Sequence, residues 1–347
     1  MKHFESGPFK HQSPETQKIL ELTKKIFEYI KNNFNLSLHL EQKLDKILSN
    51  LPDLIKSQYL PPVISFAEIL EPSSIITKIQ ETAGICYIDP HTFEPKFIVI
   101  KDPNDNSYSI AEKITHEVLH YIGTSVSEVQ KLTSQDNIYE MESILSSLNE
   151  VYNTKFKFSE VIEYRTGFLK YQDFIIVDEL SGIKYLLKLP SYAEDEIFYE
   201  SAIDYFSKEI VTKIIKEMSK EEIEEAIFTA GYPSRKMLAL CIYNVAYLLK
   251  EINQKNYDEN IEELEKYLRF ALITGDLTQF IQEVNKVRVD RFLERLKELS
   301  VRFQEKDKKF ADKIEDVLTK VISKVEELPE TLTFDVIKLL VFEFYCQ

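Results

Sequence analysis

The sequence predicts an α+β protein, mostly helical, with a small antiparallel sheet beside a motif-bearing helix. Three observations lead there. Apolar residues recur at three- and four-residue spacing over most of the chain, which is the period of an amphipathic helix. Two stretches break that period with β-branched and aromatic runs joined by turn residues, the mark of a hairpin. Seven glycines and no tryptophan, in 347 residues that are 44% hydrophobic and 29% charged, describe a soluble chain large enough for a sizeable core.

The elements follow in order. Residues 13–57 carry Ile19, Leu22, Ile26 and Ile30, then Leu40, Leu44, Ile47 and Leu48, at helical spacing. Pro61-Pro62 closes this N-terminal helical segment, 1–60. Strand-like runs at 84–89 and 97–101 flank a turn-rich stretch with Pro90 and Pro95 and read as a first hairpin. A loop at 102–106 leads into a helix over 110–123. Its Ile114, Val118 and Ile122 form an apolar stripe, and Gly123 with Thr124 and Ser125 after it is the stop. Residues 136–152 read as a further helix, 161–168 with 171–177 as a second hairpin, and 192–218 as a long helix rich in carboxylates near its start.

From Ser219 onward the pattern is helical. The most apolar run, 237–249, is too short to span a bilayer and is interrupted by Asn244, so it reads as a buried helix. In the charged stretch 283–328, Val289, Phe292, Leu296, Leu299 and Phe303 alternate at three and four residues, which favours a packed bundle over a partner-binding hairpin. The expected division is an N-terminal helical segment at 1–60, a core unit at 61–230 and a C-terminal helical domain at 231–347.

A formal charge of −15 argues against a nucleic-acid partner, because phosphate binding needs an excess of Lys and Arg. Cys86, Cys241 and Cys346 are too few and too far apart for a disulfide framework or a paired-cysteine metal site. The first residues lack the apolar run of a signal peptide, so the expectation is a cytoplasmic protein without a membrane span.

Chemistry concentrates in His116-Glu117-Val118-Leu119-His120, an H-E-x-x-H motif on the 110–123 helix. Histidines four apart lie one above the other on a helical face, so both imidazoles can reach one cation. Zinc takes imidazole nitrogen readily, and two His plus a carboxylate leave a tetrahedral position for water. Glu117, between them, is the expected general base for that water. One Zn2+ per chain and metal-assisted hydrolysis are therefore expected.

The third ligand must come from elsewhere. No histidine follows His120, and the position where an extended motif would place a third one is Val126. His39 or His91 would have to fold back from upstream. Downstream, Glu140, Glu150 and Glu200 compete, and Glu200 is preferred because Asp204 follows one helical turn later. A ligating His is oriented by giving its other N–H to a carboxylate, and an acid one turn from the ligand Glu is well placed to accept it. Glu196 continues the same face and is available to solvent or substrate.

With this helix the chain resembles the gluzincin metallopeptidases, the thermolysin-type arrangement of H-E-x-x-H followed by an E-x-x-x-D helix. The resemblance implies a zincin-like catalytic core, with zinc on His116, His120 and Glu200, Glu117 as general base and Asp204 supporting a histidine. Uncharacterised bacterial zincin-like proteins are similar in order, with a Gly-initiated hairpin, the motif helix, an Arg-x-Gly hairpin and then the glutamate helix. Gly84, Arg165-Thr166-Gly167 and Glu200 take those places. Two features depart from the pattern: Tyr199 stands where Asn often precedes the ligand Glu, and the separation of His120 from Glu200 exceeds that in thermolysin.

The resemblance also implies a peptide substrate, held along the edge of the first hairpin. An oxyanion donor is needed as well, and Tyr205 and Tyr232 are the candidates. Cys86 and His91 fall near the expected cleft, Cys86 as an inert core thiol. Two other readings remain: a zinc-stabilised binding or regulatory protein without turnover, and a metal-free helical interaction protein.

Overall fold

In the computed structural model, eleven helices and eight strands are formed among the described residues, 13–57, 63–65, 84–132, 139–189, 193–216, 233–304, 306–324 and 329–347. The protein is α+β, mostly helical, with its strands in two small sheets that are largely antiparallel. The Pro61-Pro62 boundary, the first residues of the 136–152 and 192–218 helices, and Tyr232 lie outside the described residues.

Local chemistry explains the helix starts. α1 (Pro14–Asn33) begins at Ser13, whose hydroxyl accepts from the Thr16 N–H, with Pro14 at the first helical position. α2 (Leu38–Leu54) is capped in the same way by Ser37. Between them and the next helix come β1 (Ile55–Lys56), β2 (Val63–Ser65), β3 (Gly84–Ile88) and β4 (Pro95–Ile100). β3 and β4 pair antiparallel from Gly84↔Val99 to Ile88↔Pro95, forming the first expected hairpin, and β1 adds in parallel to β4. Asp89 holds the turn by accepting from the His91 and Thr92 N–H groups.

The motif helix α3 (Ser107–Gly123) starts three residues earlier than its apolar pattern suggests. The Asn106 side chain caps the Tyr108 and Ser109 N–H groups. Ile110, Ile114, Val118 and Ile122 are buried on the core side. The helix does stop after Gly123, for a different reason than a left-handed cap: Thr124 is extended, with φ −91°. A Cβ on Gly123 would lie 2.4 Å from the Leu272 carbonyl oxygen, so glycine is needed there for close approach.

The chain then enters β5 (Thr124–Lys131), α4 (Tyr139–Tyr152), β6 (Phe156–Thr166), β7 (Leu169–Asp178) and β8 (Lys184–Lys188). β6 and β7 form the second expected hairpin, longer at its open end than predicted, with the turn two residues earlier, at Gly167 with φ +58°. β5 and β8 were not expected from their sequences. Both are half-polar, and each is read as a strand only once its neighbour is in place: β5 on β6 and β8 on β7, in the sheet order β2-β8-β7-β6-β5.

α5 (Ala193–Lys216) packs against α3 on one side and against α6 (Pro233–Ile252) on the other. Behind them lie α7 (Tyr257–Thr274), α8 (Thr278–Val284), α9 (Val289–Phe303), α10 (Lys308–Lys324) and α11 (Phe334–Tyr345). The 283–328 stretch is packed: Val289, Phe292, Leu296 and Val321 are buried in the same core as Ile26 of α1 and Ile114 of α3. One interior therefore runs through all three expected segments.

Candidate metal centre

The packing of α3 on α5 brings together side chains eighty or more residues apart. Each helix presents two groups one turn apart, His116 and His120 from α3 and Glu200 and Asp204 from α5. His116 Nε2 and His120 Nε2 are 3.1 Å apart. One Glu200 oxygen lies 3.4 Å from His116 Nε2 and 3.3 Å from His120 Nε2. Ligands held at about 2.0–2.1 Å around a tetrahedral zinc are about 3.3–3.4 Å from one another. The three donor atoms thus have the size of one tetrahedral face. Among the described residues, this is the group of His, Cys, Asp and Glu side chains arranged to hold a metal ion.

Asp204 completes the arrangement. Its carboxylate accepts from His116 Nδ1 at 3.0 Å, which orients the ring with Nε2 facing Glu200 and His120. The charges agree with a site built for a cation. Burial opposes charging of His116, yet the hydrogen bonds to Asp204 and Glu200 hold its pKa well above the ordinary histidine value. For Glu200 burial again opposes the charged form, and His120 and His116 outweigh it, holding the carboxyl well below the usual range.

Glu117 faces the cleft beside this triad and is only 4% exposed. Burial is the main cause of its raised pKa, which the two histidines partly offset. Its position depends on Gly84: a Cβ there would lie 2.7 Å from Glu117 Oε1 and 2.8 Å from the Ile98 carbonyl oxygen. The glycine that opens β3 thus leaves the volume that the Glu117 carboxylate occupies.

The cleft encloses about 200 Å³ and runs along β3, and Thr124, Thr166, Tyr171, Lys188 and Glu196 also line it. Tyr199 forms part of its wall, its ring edge-on to His120 with centroids 5.2 Å apart. The Tyr199 hydroxyl is buried and makes no hydrogen bond among the described residues. Gly167 gives that ring its space, since a Cβ at this left-handed position would lie 2.3 Å from Tyr199 Cε2. Arg165 ties the region together by donating from Nη1 to the carbonyls of Gly123, Gly167 and Ile273.

Most of the expected site residues meet here: His116, Glu117, His120, Glu200 and Asp204. Tyr205 does not, and its assignment as oxyanion donor is corrected. It is fully buried on another face of α5, and its hydroxyl donates to Glu265 at 2.5 Å. Glu150 is exposed near the end of α4, and His39 and His91 are exposed away from the cleft. The Glu140 side chain lies outside the described residues, as does Tyr232. Cys86 lines the cleft, and burial pushes its thiol pKa up, so it stays protonated. Sequence reasoning missed Tyr199, Tyr171 and Lys188 as cleft residues. For Tyr199 the signal was present, because it adjoins Glu200 in sequence.

Compared with models of protein families, with curated proteins and with solved structures, the chain matches none. No helix among the described residues is long and apolar enough to cross a membrane.

Proposed function

We propose that this protein is a zinc-dependent peptidase of the gluzincin type. The observation that carries the reading is the converged set of His116, His120 and Glu200 donor atoms, with Asp204 behind His116 and Glu117 beside them. The donors fit zinc in kind and in spacing, two imidazole nitrogens and a carboxylate oxygen. Bound there, zinc would lower the pKa of its water toward about 7 and polarise a substrate carbonyl.

The chain's own residues supply the remaining steps. Asp204 holds a proton of His116 on Nδ1, so Nε2 is the nitrogen turned toward the cation. Glu117 takes the proton of the attacking water on a carboxylate oxygen and delivers it to the departing amine nitrogen. Its burial favours the protonated form, which suits a base that must hold a proton between the two transfers. β3 is an edge strand among the described residues, and all of Gly84–Ile88 lines the cleft, so an extended peptide can add to it by backbone hydrogen bonds. The unpartnered Tyr199 hydroxyl replaces Tyr205 as the donor for the oxyanion.

A cytoplasmic location is part of the same reading, supported by three free cysteines. The acidic charge speaks for peptide rather than nucleic acid as substrate. The test is a Glu117→Gln protein assayed on a quenched peptide library. It keeps its zinc and loses hydrolysis if the reading holds; hydrolysis that survives unchanged contradicts it. Zinc bound by a wild type that cleaves nothing would favour a binding or regulatory protein.

A further inference from the structure

Among its described lining residues the cleft holds one lysine, Lys188, and no arginine, and the chemistry above does not use that lysine. Lys188 ends β8, where alternation places Lys184, Leu186 and Lys188 on one face. Leu186 packs with Ile88 and Tyr164, so this face is turned toward β3 and the cleft. The two lysines differ in their surroundings. Lys184 is paired with Glu160 at 2.9 Å. Lys188 is half-buried, makes no hydrogen bond or ion pair among the described residues, and lies 5.9 Å from the centroid of the Tyr171 ring.

None of the cleft's acids, Glu117, Glu196 and Glu200, forms an ion pair with Lys188 among the described residues. Asp173 accepts from the Tyr164 hydroxyl at 2.7 Å and from the Leu189 N–H at 2.9 Å. Glu200 faces the two histidines, and Glu117 sits under Gly84. An ammonium held in a walled cleft with its three donors uncommitted is a site for an anion, and low-dielectric walls strengthen that attraction. It lines the same cleft as all of β3, within which a side chain or chain end of an edge-bound peptide would project.

We propose that Lys188 anchors a carboxylate of the bound peptide, which makes peptides anionic near the scissile bond the substrate class of this cleft. The inference rests on the peptidase reading. The carboxylate has two possible sources, an Asp or Glu side chain and the peptide's C-terminus, and the experiment separates them.

Zinc-loaded full-length Glu117→Gln protein is titrated calorimetrically with four acetylated alanine-based peptides. One carries Glu and a C-terminal amide, one a free C-terminal carboxylate, one Gln and an amide, and one Lys and an amide. The Glu peptide or the free-carboxylate peptide binds about tenfold more tightly than the Gln amide, a charge-assisted hydrogen bond's worth. Adding Lys188→Met removes that preference and changes Gln-amide binding less than about twofold, whereas Lys188→Arg keeps the preference. The proposal is overturned if all four peptides bind equally, if the Lys peptide binds best, or if the preference survives Lys188→Met. Those outcomes leave the peptidase reading standing. Absence of binding by any peptide, with zinc present, overturns both.

Discussion

At the scale of single residues, the site depends on two groups that position others and do not themselves bind the metal. Asp204 orients the His116 ring through one 3.0 Å hydrogen bond. Asp204→Asn should weaken zinc binding about 10- to 100-fold, read by chelator competition, with the fold intact by circular dichroism. Gly84 acts through absence. Gly84→Ala should displace the Glu117 carboxylate and cost about 100-fold or more in kcat while zinc content stays at the wild-type level. A wild-type kcat in that variant would show that Glu117 does not need the space. How readable these residues are in sequence follows from distance along the chain. His116 with His120, and Glu200 with Asp204, are legible because each pair is local, one turn apart on one helix. Tyr205 misleads because the residue after Asp204 is rotated by about 100° around the helix. That rotation carries it into the interior toward Glu265, while Tyr199, on the other side of Glu200, turns toward the cleft.

At the scale of elements, three chain ends meet: the C-terminus of α3, the β6–β7 turn and the C-terminus of α7, joined by Arg165. Gly123→Ala tests how tight that junction is. Alanine gains about 1 kcal/mol in helix propensity over glycine. The new methyl would also stand 2.4 Å from the backbone oxygen of Leu272, which a side-chain rotation cannot relieve. Overpacking of this kind costs about 1–3 kcal/mol, so the variant should be less stable by up to about 2 kcal/mol in urea unfolding. A more stable variant would mean that the α7 end yields freely. The two hairpins were visible in sequence because turn residues sit between apolar runs. β5 and β8 were not, since Thr-Ser-Val-Ser-Glu-Val-Gln-Lys and Lys-Tyr-Leu-Leu-Lys acquire strand character from partners distant in sequence. Lys188 was missed with its strand.

At the scale of the whole molecule, the C-terminal third has a positional role. α6 and α11 pack on α5, and Lys338 of α11 pairs with Asp195 in the first turn of α5 at 2.7 Å. The helix that supplies Glu200 is thus held from behind by the bundle. The interior of that bundle also carries a buried acid, Glu265 of α7. Burial and the neighbouring Glu209 carboxylate raise its pKa to about 7, although the Tyr205 hydroxyl and Arg269 favour the charged form. The folded protein therefore binds this proton more tightly than the unfolded chain. Its contribution to stability is greatest below the unfolded carboxyl value and is lost as pH rises toward about 7. Glu265→Gln should flatten the wild-type decline in melting temperature between about pH 5 and pH 7. Parallel profiles for the two proteins would contradict the assignment.

The central claim is that His116, His120 and Glu200 hold one zinc ion. Elemental analysis of purified wild type, His120→Ala and Glu200→Ala, each reconstituted and dialysed, tests it most directly. About one zinc per wild-type chain is expected, with loss of it in both variants. Wild-type protein without zinc after reconstitution, or Glu200→Ala with full occupancy, would contradict it.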